Sequence, residues 1–270
     1  MTFEPANAGR FIATVRENLQ LSSRYFLLRI SRPSDMPAPA AGQFVHVGVP
    51  ASGRFFLRRP FSIFDCDLSS IALLIVELGP GTRALRRLQR GESIDFYGPL
   101  GNAFPVMPGR RILAIGGGVG LAPLYFYAFR TLDGCGPYYR VVYGARTQED
   151  LFLDNIPLED ESVLLATEDG SYGYHGNAVE CAAEEFGRDP ADVLFSCGPA
   201  PMLRAATKLA EERGIPHYVS LENRMGCALG ACRACVVPTR LGDGSPYRTV
   251  CHDGPVFDAS VIVWDELPQP

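Results

Sequence analysis

The chain lacks the excess of basic residues that nucleic-acid binding requires. Its 25 Lys and Arg are outnumbered by 30 Asp and Glu, which gives a net charge of −5. Nucleic acids and anionic membrane surfaces are bound through basic faces, so these totals argue against both kinds of partner. Residues 1–10 contain an acid and a proline and lack the apolar core of a signal peptide, so we expect no secretion.

The sequence also lacks an unbroken apolar segment suited to crossing a membrane. Residues 112–129 carry no charge and approach spanning length, but they contain Gly116, Gly117, Gly118, Gly120 and Pro123. Glycines and a proline at these positions interrupt a helix and favour a tight turn from a strand into a helix. We therefore predict no membrane span.

Cysteine, in contrast, is plentiful, and its spacing is informative. Cys227, Cys232 and Cys235 form a C-x4-C-x2-C array, and Cys251 follows later. This is the plant-type spacing of a [2Fe–2S] cluster, in which four thiolates hold two irons. Structural zinc takes four thiolates as well but usually shows two short cysteine pairs, whereas this array has one, and unligated thiols are the other alternative.

Four further cysteines are scattered, at Cys66, Cys135, Cys181 and Cys197. They do not suggest a disulfide framework, so we expect a reducing cytoplasm. A length of 270 residues allows two compact domains and a small appendage.

Short apolar runs separated by Pro and Gly clusters predict an antiparallel barrel in the first part of the chain. The runs cover residues 10–16, 25–30, 43–49 and 71–77. A helix is predicted after Gly79, with Thr82 as N-cap and residues 84–88 inside. Arg58, Arg59 and the following Pro, Phe and Ser fit either a diphosphate and a flat ring or a strand end with solvated arginines.

The pattern then changes to alternating strands and helices, which indicates a parallel sheet covered on both faces. We predict strands at 111–115, 138–143, 162–166 and 192–196, and helices at 124–132, 177–186 and 201–213. A nucleotide would bind where the strands end, at residues 116–123 and 197–202. The glycine run could equally be a structural turn, and Cys197 either lies over a bound ring or is a buried inert thiol.

Five motifs in one order resemble the electron transfer subunits of class 1B dihydroorotate dehydrogenase. They are residues 59–62 (Arg-Pro-Phe-Ser), 98–104 (Gly-Pro-Leu-Gly-Asn-Ala-Phe), 116–123 (Gly-Gly-Gly-Val-Gly-Leu-Ala-Pro), 197–202 (Cys-Gly-Pro-Ala-Pro-Met) and the segment 221–257 with the cysteines. The resemblance implies a ferredoxin-reductase-like fold. Its parts are an FAD-binding β-barrel at residues 1–105, an NAD-binding α/β domain at 106–218 and a [2Fe–2S] module at 219–270.

The resemblance also implies the site residues, carried over by position. The FAD contacts would be Arg59, Pro60, Phe61, Ser62, Leu74, Ile75, Val76, Gly81 and Thr82. The NAD contacts would be Gly116, Gly117, Gly118, Gly120, Cys197, Gly198 and Pro199, and the cluster ligands would be Cys227, Cys232, Cys235 and Cys251. Ile75 and Val76 depart from the family, which often has an aromatic residue and an arginine there.

The implied function is electron transfer to NAD+ in pyrimidine biosynthesis. An FMN-containing catalytic subunit, in a heterotetramer with two copies of each chain, would supply electrons through the cluster and FAD. We expect no protein nucleophile or acid–base pair in this subunit. The alternatives are the small subunit of an NAD(P)H:ferredoxin oxidoreductase or sulfide dehydrogenase, and a zinc-stabilised interaction module without catalysis. A preference for NAD over NADP does not follow from the sequence.

Overall fold

Six strands in the first part of the chain form a closed antiparallel barrel. The computed structural model describes residues 8–50, 56–131, 139–152, 162–242 and 244–267. The barrel strands are β1 (Gly9–Gln20), β2 (Tyr25–Ser31), β3 (Phe44–Val47), β4 (Arg59–Cys66), β5 (Ser70–Val76) and β6 (Ser93–Leu100). Their order is β1-β2-β5-β4-β3-β6, and β6 pairs back onto β1 from Gly9 opposite Gly98, so the barrel closes.

The barrel follows from the two-residue period of its strands. In β1 the side chains of Phe11, Ala13 and Val15 are buried, and Ile12 and Thr14 between them are exposed. The four strands predicted from the sequence are all present, which confirms the antiparallel barrel. The sequence patterns did not identify β4 or β6 as strands.

The helix that follows β5 begins earlier than predicted. Helix α1 spans Pro80–Arg86, with Gly79 rather than Thr82 at the N-cap, so the prediction of a Thr82 cap and a helix through residue 88 was wrong. Proline is favoured at the first helical position because its missing N–H has no helical partner there. Thr82 Oγ1 instead accepts hydrogen bonds from the backbone N–H groups of Leu78 (2.9 Å) and Gly79 (3.2 Å).

A seven-stranded sheet makes up the second part of the chain. Its strands are β7 (Ile112–Gly117), β8 (Tyr139–Ala145), β9 (Val163–Thr167), β10 (Tyr174–His175), β11 (Val193–Cys197), β12 (His217–Ser220) and β15 (Val256–Asp258). The order is β10-β9-β8-β7-β11-β12-β15, and every pair is parallel except β12 with β15. The predicted parallel sheet is confirmed, with one antiparallel strand added at its edge.

Three helices pack against the sheet: α2 (Leu121–Phe126), α3 (Ala178–Arg188) and α4 (Ala200–Arg213). A 3-10 turn at Gly118–Gly120 precedes α2, and a π-helical turn at Tyr127–Thr131 follows it. Helix α2 therefore starts three residues before the predicted start, because a proline at residue 123 is tolerated in a first helical turn. The predicted helix end at Leu132 and strand start at Tyr138 lie outside the described residues, as does Cys135. No helix in the described ranges has the length and apolarity needed to cross a bilayer.

The C-terminal segment is joined to the sheet rather than separate from it. Strands β13 (Val236–Pro238) and β14 (Tyr247–Thr249) form a small antiparallel ribbon beside the cysteine loop. The chain then returns as β15 and pairs with β12, where Val219 lies opposite Phe257. The predicted division at residue 218 therefore falls inside β12.

Buried His217 links β12 to its neighbours through two hydroxyl groups. The hydroxyl of Thr207 donates to the carbonyl of Leu203 (2.9 Å), so its oxygen accepts from His217 Nδ1–H at 3.2 Å. Nε2 is then unprotonated and accepts from the hydroxyl of Ser196 at 2.7 Å. Burial disfavours a charged ring here and lowers the pKa of His217 to about 4.

Candidate functional site

A cleft of about 370 Å³ lies between the barrel, the glycine-rich turn and the segment that follows β12. All nine positions predicted from the sequence as FAD contacts line it: Arg59, Pro60, Phe61, Ser62, Leu74, Ile75, Val76, Gly81 and Thr82. They come from β4, β5 and the start of α1, which are adjacent because β4 pairs with β5. The structure thus brings together residues separated by more than twenty positions, and their contacts with FAD stay predictions.

The two neighbouring arginines have different surroundings. The Arg58 guanidinium pairs with Asp95 and lies over the Tyr97 ring, 4.3 Å from the ring centroid. Arg58 does not line the cleft, whereas Arg59 does. Arg59 is therefore the arginine available to an anionic ligand in this cleft.

Local geometry holds Arg59 at the edge of the cleft. Its Nη1 donates to the carbonyl oxygens of Leu57 (2.8 Å) and Arg58 (3.2 Å). A Cβ at Gly81 would lie only 3.2 Å from Arg59 Nη2, so glycine at residue 81 lets the guanidinium approach the first turn of α1. An arginine held beside a backbone turn forms a cradle suited to a diphosphate.

The middle of the cleft is apolar. Ile75 is 1% exposed and Val76 is half-buried. Because these two residues replace the aromatic residue and the arginine expected from the resemblance, this wall offers a ligand only backbone and methyl groups. The opposite wall was not identified from the sequence and comes from distant segments. It consists of Phe44, Val119, Ser220, Leu221, Glu222, Asn223, Met225 and Pro255. Two signals mark residues 220–225 in the sequence: their position after a parallel strand, where ligands of such sheets usually bind, and the start of the motif at residues 221–257.

A second cleft of about 560 Å³ lies at the ends of β7, β8 and β9. Of the seven predicted NAD positions, Gly117, Gly118 and Pro199 line it, and Gly116, Gly120, Cys197 and Gly198 do not. Cys197 is 1% exposed, and burial raises the pKa of its thiol well above the usual value. A Cβ at Gly120 would lie 2.1 Å from the carbonyl oxygen of Cys197, so the structure gives Gly120 a packing role between the turn and β11.

Charged side chains not predicted as ligands surround this second cleft. Arg24 and Arg146 supply positive charge, and Asp150 and Glu168 supply negative charge. Asn177 lies at the N-terminus of α3, where its side-chain oxygen accepts from the backbone N–H groups of residues 179 and 180. Guanidinium groups suit a pyrophosphate, and carboxylates suit the hydroxyl groups of a ribose.

The cysteine loop directs backbone N–H groups toward its sulfur atoms. Cys227 Sγ accepts from the N–H groups of Leu229 (3.4 Å) and Cys232 (3.3 Å). Cys251 Sγ accepts from Gly230 (3.2 Å), and Cys235 Sγ accepts from Cys251 (3.4 Å). Such N–H···S bonds are the surroundings that stabilise thiolates bound to iron.

Left-handed backbone conformations produce this arrangement. Ala228, Gly230 and Arg233 have φ values of 58°, 77° and 52°. A Cβ at Gly226 would lie 3.2 Å from Cys232 Sγ, so a larger residue would press on the ligand sulfur. The small residues of the loop therefore suit a chain that wraps a cluster.

The four thiols lie in two pairs. The Cys251 thiol donates to Cys235, which lowers the pKa of Cys235 to about 6 and raises the pKa of Cys251. In the other pair, Cys232 hydrogen-bonds to Cys227. Burial raises the pKa of Cys227, but the hydrogen bonds that its sulfur accepts from N–H groups have the larger effect and lower this pKa to about 7. By contrast, burial raises the pKa of Cys181 to about 11.

This pairing fits two irons better than one zinc ion. A [2Fe–2S] cluster needs two thiolates on each iron, and the pairs 227/232 and 235/251 match this requirement, while their role as ligands stays a prediction. The donor set is therefore chemically suited to this cluster.

Comparison with solved structures defines the class of protein. The structure of the NADH-dependent reduced ferredoxin-NADP oxidoreductase, determined in work on flavin-based electron bifurcation, superposes with a TM-score of 0.82 at 29% identity. The match covers 96% of this chain and 92% of that one. The fold, the two clefts and the cysteine loop thus define a ferredoxin-reductase-like protein with an iron–sulfur module, and the predicted fold class is confirmed.

Sequence relatives identify the family within this class. The model of the iron–sulfur cluster binding domain of dihydroorotate dehydrogenase B matches residues 222–263. The dihydroorotate dehydrogenase B (NAD(+)) electron transfer subunit of Bacillus caldolyticus is 39% identical over 265 residues, 94% of this chain and 99% of the relative. The same subunit of Shouchella clausii is 39% identical over 227 residues, 82% and 86% of the two chains. The chain belongs to the family of dihydroorotate dehydrogenase B electron transfer subunits, as the motifs predicted.

Proposed function

We propose that this chain carries electrons from the FMN of a dihydroorotate-oxidising subunit, through a [2Fe–2S] cluster and FAD, to NAD+. The cluster exchanges single electrons and NAD+ accepts a hydride, so the flavin is the group that converts one kind of transfer into the other. The protein holds these groups in sequence and excludes competing acceptors. Membership of the electron transfer subunit family supports this function.

The observation that carries the proposal is the continuity between the first cleft and the cysteine loop. Residues 220–225 supply one wall of the cleft, and the ligand set begins at Cys227, two residues later. The same segment begins at the end of β12, which belongs to the sheet that carries the second cleft and lies next to its edge strand β15. A chain built this way keeps the flavin site between the cluster and the nucleotide site.

Each predicted residue has a role in this proposal. Arg59 and the turn at Gly81 and Thr82 hold the FAD diphosphate, and residues 60–62 and 74–76 line the isoalloxazine and ribityl portions. Gly117, Gly118 and Pro199 contact NAD, and Gly116, Gly120, Cys197 and Gly198 support the turn behind them. Cys227, Cys232, Cys235 and Cys251 bind the cluster.

An electron transfer subunit acts with a catalytic subunit, and we place its docking surface at the exposed edge of the cysteine loop. Cys232 is exposed there, and Leu229 and Tyr247 are 53% and 46% exposed. A complex with two copies of each subunit, working in the cytoplasm, is the assembly that we propose. Free thiols at Cys181 and Cys197 support a reducing compartment.

Replacement of one ligand tests the route. Cys232→Ser is expected to lose cluster absorption and dihydroorotate-driven NAD+ reduction with the partner present, while FAD stays bound and is still reduced by NADH. Cys181→Ser is the matched control, because that thiol is buried in α3, away from both clefts. Normal dihydroorotate-driven rates in Cys232→Ser would contradict the route.

Assays of the wild-type protein with other electron donors, together with its metal content, distinguish the alternative functions. A ferredoxin- or sulfide-linked reductase shares the three parts, as the similarity to the reduced ferredoxin-NADP oxidoreductase illustrates. Reduction of NAD+ by reduced ferredoxin, without any by dihydroorotate and its dehydrogenase, would favour that role. Zinc without iron or acid-labile sulfide would leave only the interaction module.

A further inference from the structure

The motif at residues 98–104 connects the barrel to the C-terminal segment through Asn102. The backbone N–H of Asn102 donates to the carbonyl of Gly254 at 2.7 Å. Its side-chain amide donates to the carbonyls of Asp253 (3.1 Å) and Val256 (2.8 Å), and its Oδ1 accepts from the N–H of Val256 at 2.9 Å. Two carbonyls and one N–H need a side chain that both donates and accepts, which an asparagine does.

The barrel fixes the turn that carries Asn102. Buried Gln43 donates from Nε2 to the carbonyl of Gly101 at 2.8 Å. Gly101 has a φ of 72°, and a Cβ there would lie 2.5 Å from Cδ of Pro255. Glycine therefore lets this turn lie directly against the C-terminal segment, so the Asn102 side chain meets residues 253–256 from a fixed position.

The segment held in this way belongs to both candidate sites. Cys251, a predicted cluster ligand, precedes it by two residues, and Pro255 within it lines the first cleft. The carbonyl of Pro255 accepts from the N–H of Leu221 at 2.9 Å, and Leu221 lines the same cleft. Cys251 also packs in one apolar core with Phe44 of the cleft lining. A shift of residues 253–256 would therefore move a wall of the cleft and a cluster ligand together.

We infer that Asn102 is a positioning residue for electron transfer: its side chain holds the segment after Cys251 against the barrel and so fixes the separation of the cluster ligands from the first cleft. This inference rests on the proposed function, in which the cleft binds FAD and the cysteines bind the cluster. Asn102 does not line the cleft and lies outside the cysteine loop, so it acts through the segment that it holds. Reacting groups need such supporting hydrogen bonds, because small displacements slow the reaction between them strongly.

The test uses the full-length protein with its cofactors, purified without air and mixed with NADH. The electrons then travel in reverse, because NADH reduces the flavin and the flavin reduces the cluster. In Asn102→Ala, flavin bleaching should keep its wild-type rate. Cluster reduction, followed by freeze-quench EPR, should be slower by about 10-fold, the lower end of the loss on removing a residue that orients metal ligands.

A second measurement reports on the segment without any electron transfer. Hydrogen–deuterium exchange of the oxidised protein should be faster at Val256 in Asn102→Ala, because the N–H of this residue loses its acceptor. Exchange in β1 and β7 should stay at the wild-type rate. Asn102→Asp keeps the acceptor and loses both donated bonds, so Val256 should stay protected and the rate of cluster reduction should lie between those of the wild type and Asn102→Ala.

Asn18→Ala is the matched control. Asn18 Nδ2 donates to the carbonyls of Leu85, Arg86 and Leu88 at 3.0, 3.1 and 3.0 Å, so this variant also loses three hydrogen bonds between distant segments. These bonds lie within the first part of the chain, at the C-terminal end of α1. Urea unfolding should show a similar loss of stability in both alanine variants, and only Asn102→Ala should slow cluster reduction.

Equal slowing of flavin and cluster reduction in Asn102→Ala would overturn the inference, because Asn102 would then organise the flavin cleft. The same slowing of cluster reduction in Asn18→Ala would overturn it in favour of a general loss of rigidity. An unchanged rate of cluster reduction would overturn it whatever the exchange shows, and Asn102→Asp decides the question if the alanine variant does not retain FAD and iron. A wild type without flavin and cluster absorption would overturn the proposed function itself, and this outcome is distinct from failure of the positioning role.

Discussion

Replacement of Arg59 by alanine tests the flavin site most directly. The Arg59 Nη1 group is occupied by the carbonyls of Leu57 and Arg58, while Nη2 faces the turn at Gly81, on the lining of the cleft. The substitution therefore removes one charged hydrogen bond to a bound diphosphate, worth about 1.5–3 kcal/mol. This corresponds to roughly a 10- to 150-fold increase in the Kd for FAD.

The measurement is titration of apoprotein with FAD, followed by quenching of flavin fluorescence or by calorimetry. Arg58→Ala is the matched control, because its guanidinium is engaged by Asp95 and Tyr97 and lies off the cleft. We expect it to lower stability and to leave the FAD Kd close to that of the wild type. Arg59→Lys should give an intermediate Kd, since an ammonium keeps the charge and loses the fork of donors. An unchanged Kd in Arg59→Ala, or an equal increase in Arg58→Ala, would refute the assignment.

Two further predictions concern the sheet. Gly120→Ala should lower the free energy of unfolding by about 1–3 kcal/mol in a thermal denaturation assay, because the new Cβ would meet the backbone of Cys197. Gly187→Ala in α3 is the control: its Cβ would meet nothing within 4 Å, so this substitution should be neutral or stabilising in the same assay. For His217 the folded pKa of about 4 lies below the ordinary 6.5, so the unfolded state binds more protons between these values and stability is lost as pH falls through them. Because of His217, the free energy of unfolding should fall by about 1.3 kcal/mol between pH 7.5 and pH 5.5. Urea unfolding at the two pH values should show that His217→Gln lacks this decrease. An identical pH dependence in His217→Gln would contradict the neutral buried ring.

Prediction from the sequence succeeded where a feature depends on neighbouring residues and failed where it depends on the surrounding tertiary structure. The strands of the barrel and sheet were predictable because burial on one face imposes a two-residue period, as in β1, and burial on both faces gives continuous apolar runs, as in β7. The start of α1 was mispredicted because a threonine resembles an N-cap in sequence, whereas here its hydroxyl oxygen receives hydrogen bonds from residues 78 and 79. Local patterns could not distinguish these two roles of one hydroxyl.

The candidate site also combines features that neighbouring residues determine with features that depend on distant segments. The cysteine spacing and the segment 59–62 were visible in the sequence because neighbouring ligands on a short loop or strand must follow one another closely. The distinct positions of Arg58 and Arg59 were not visible, because they depend on Asp95 and Tyr97 of a strand more than thirty residues away. The packing of Gly120 against β11 likewise depends on strands that meet only in the sheet.

By itself the sequence determined the class of fold, the spacing of the cluster ligands and the order of the three parts, since these are set by residue periodicity and by short-range geometry. Only the tertiary structure decided which residues share a cleft. Residues 220–223 line the first cleft together with residues of β4 and β5, and Cys235 meets Cys251 because β13 pairs with β14, where Val236 lies opposite Thr249. Contacts between distant segments are fixed by the packing of sheet against barrel, which no local pattern encodes.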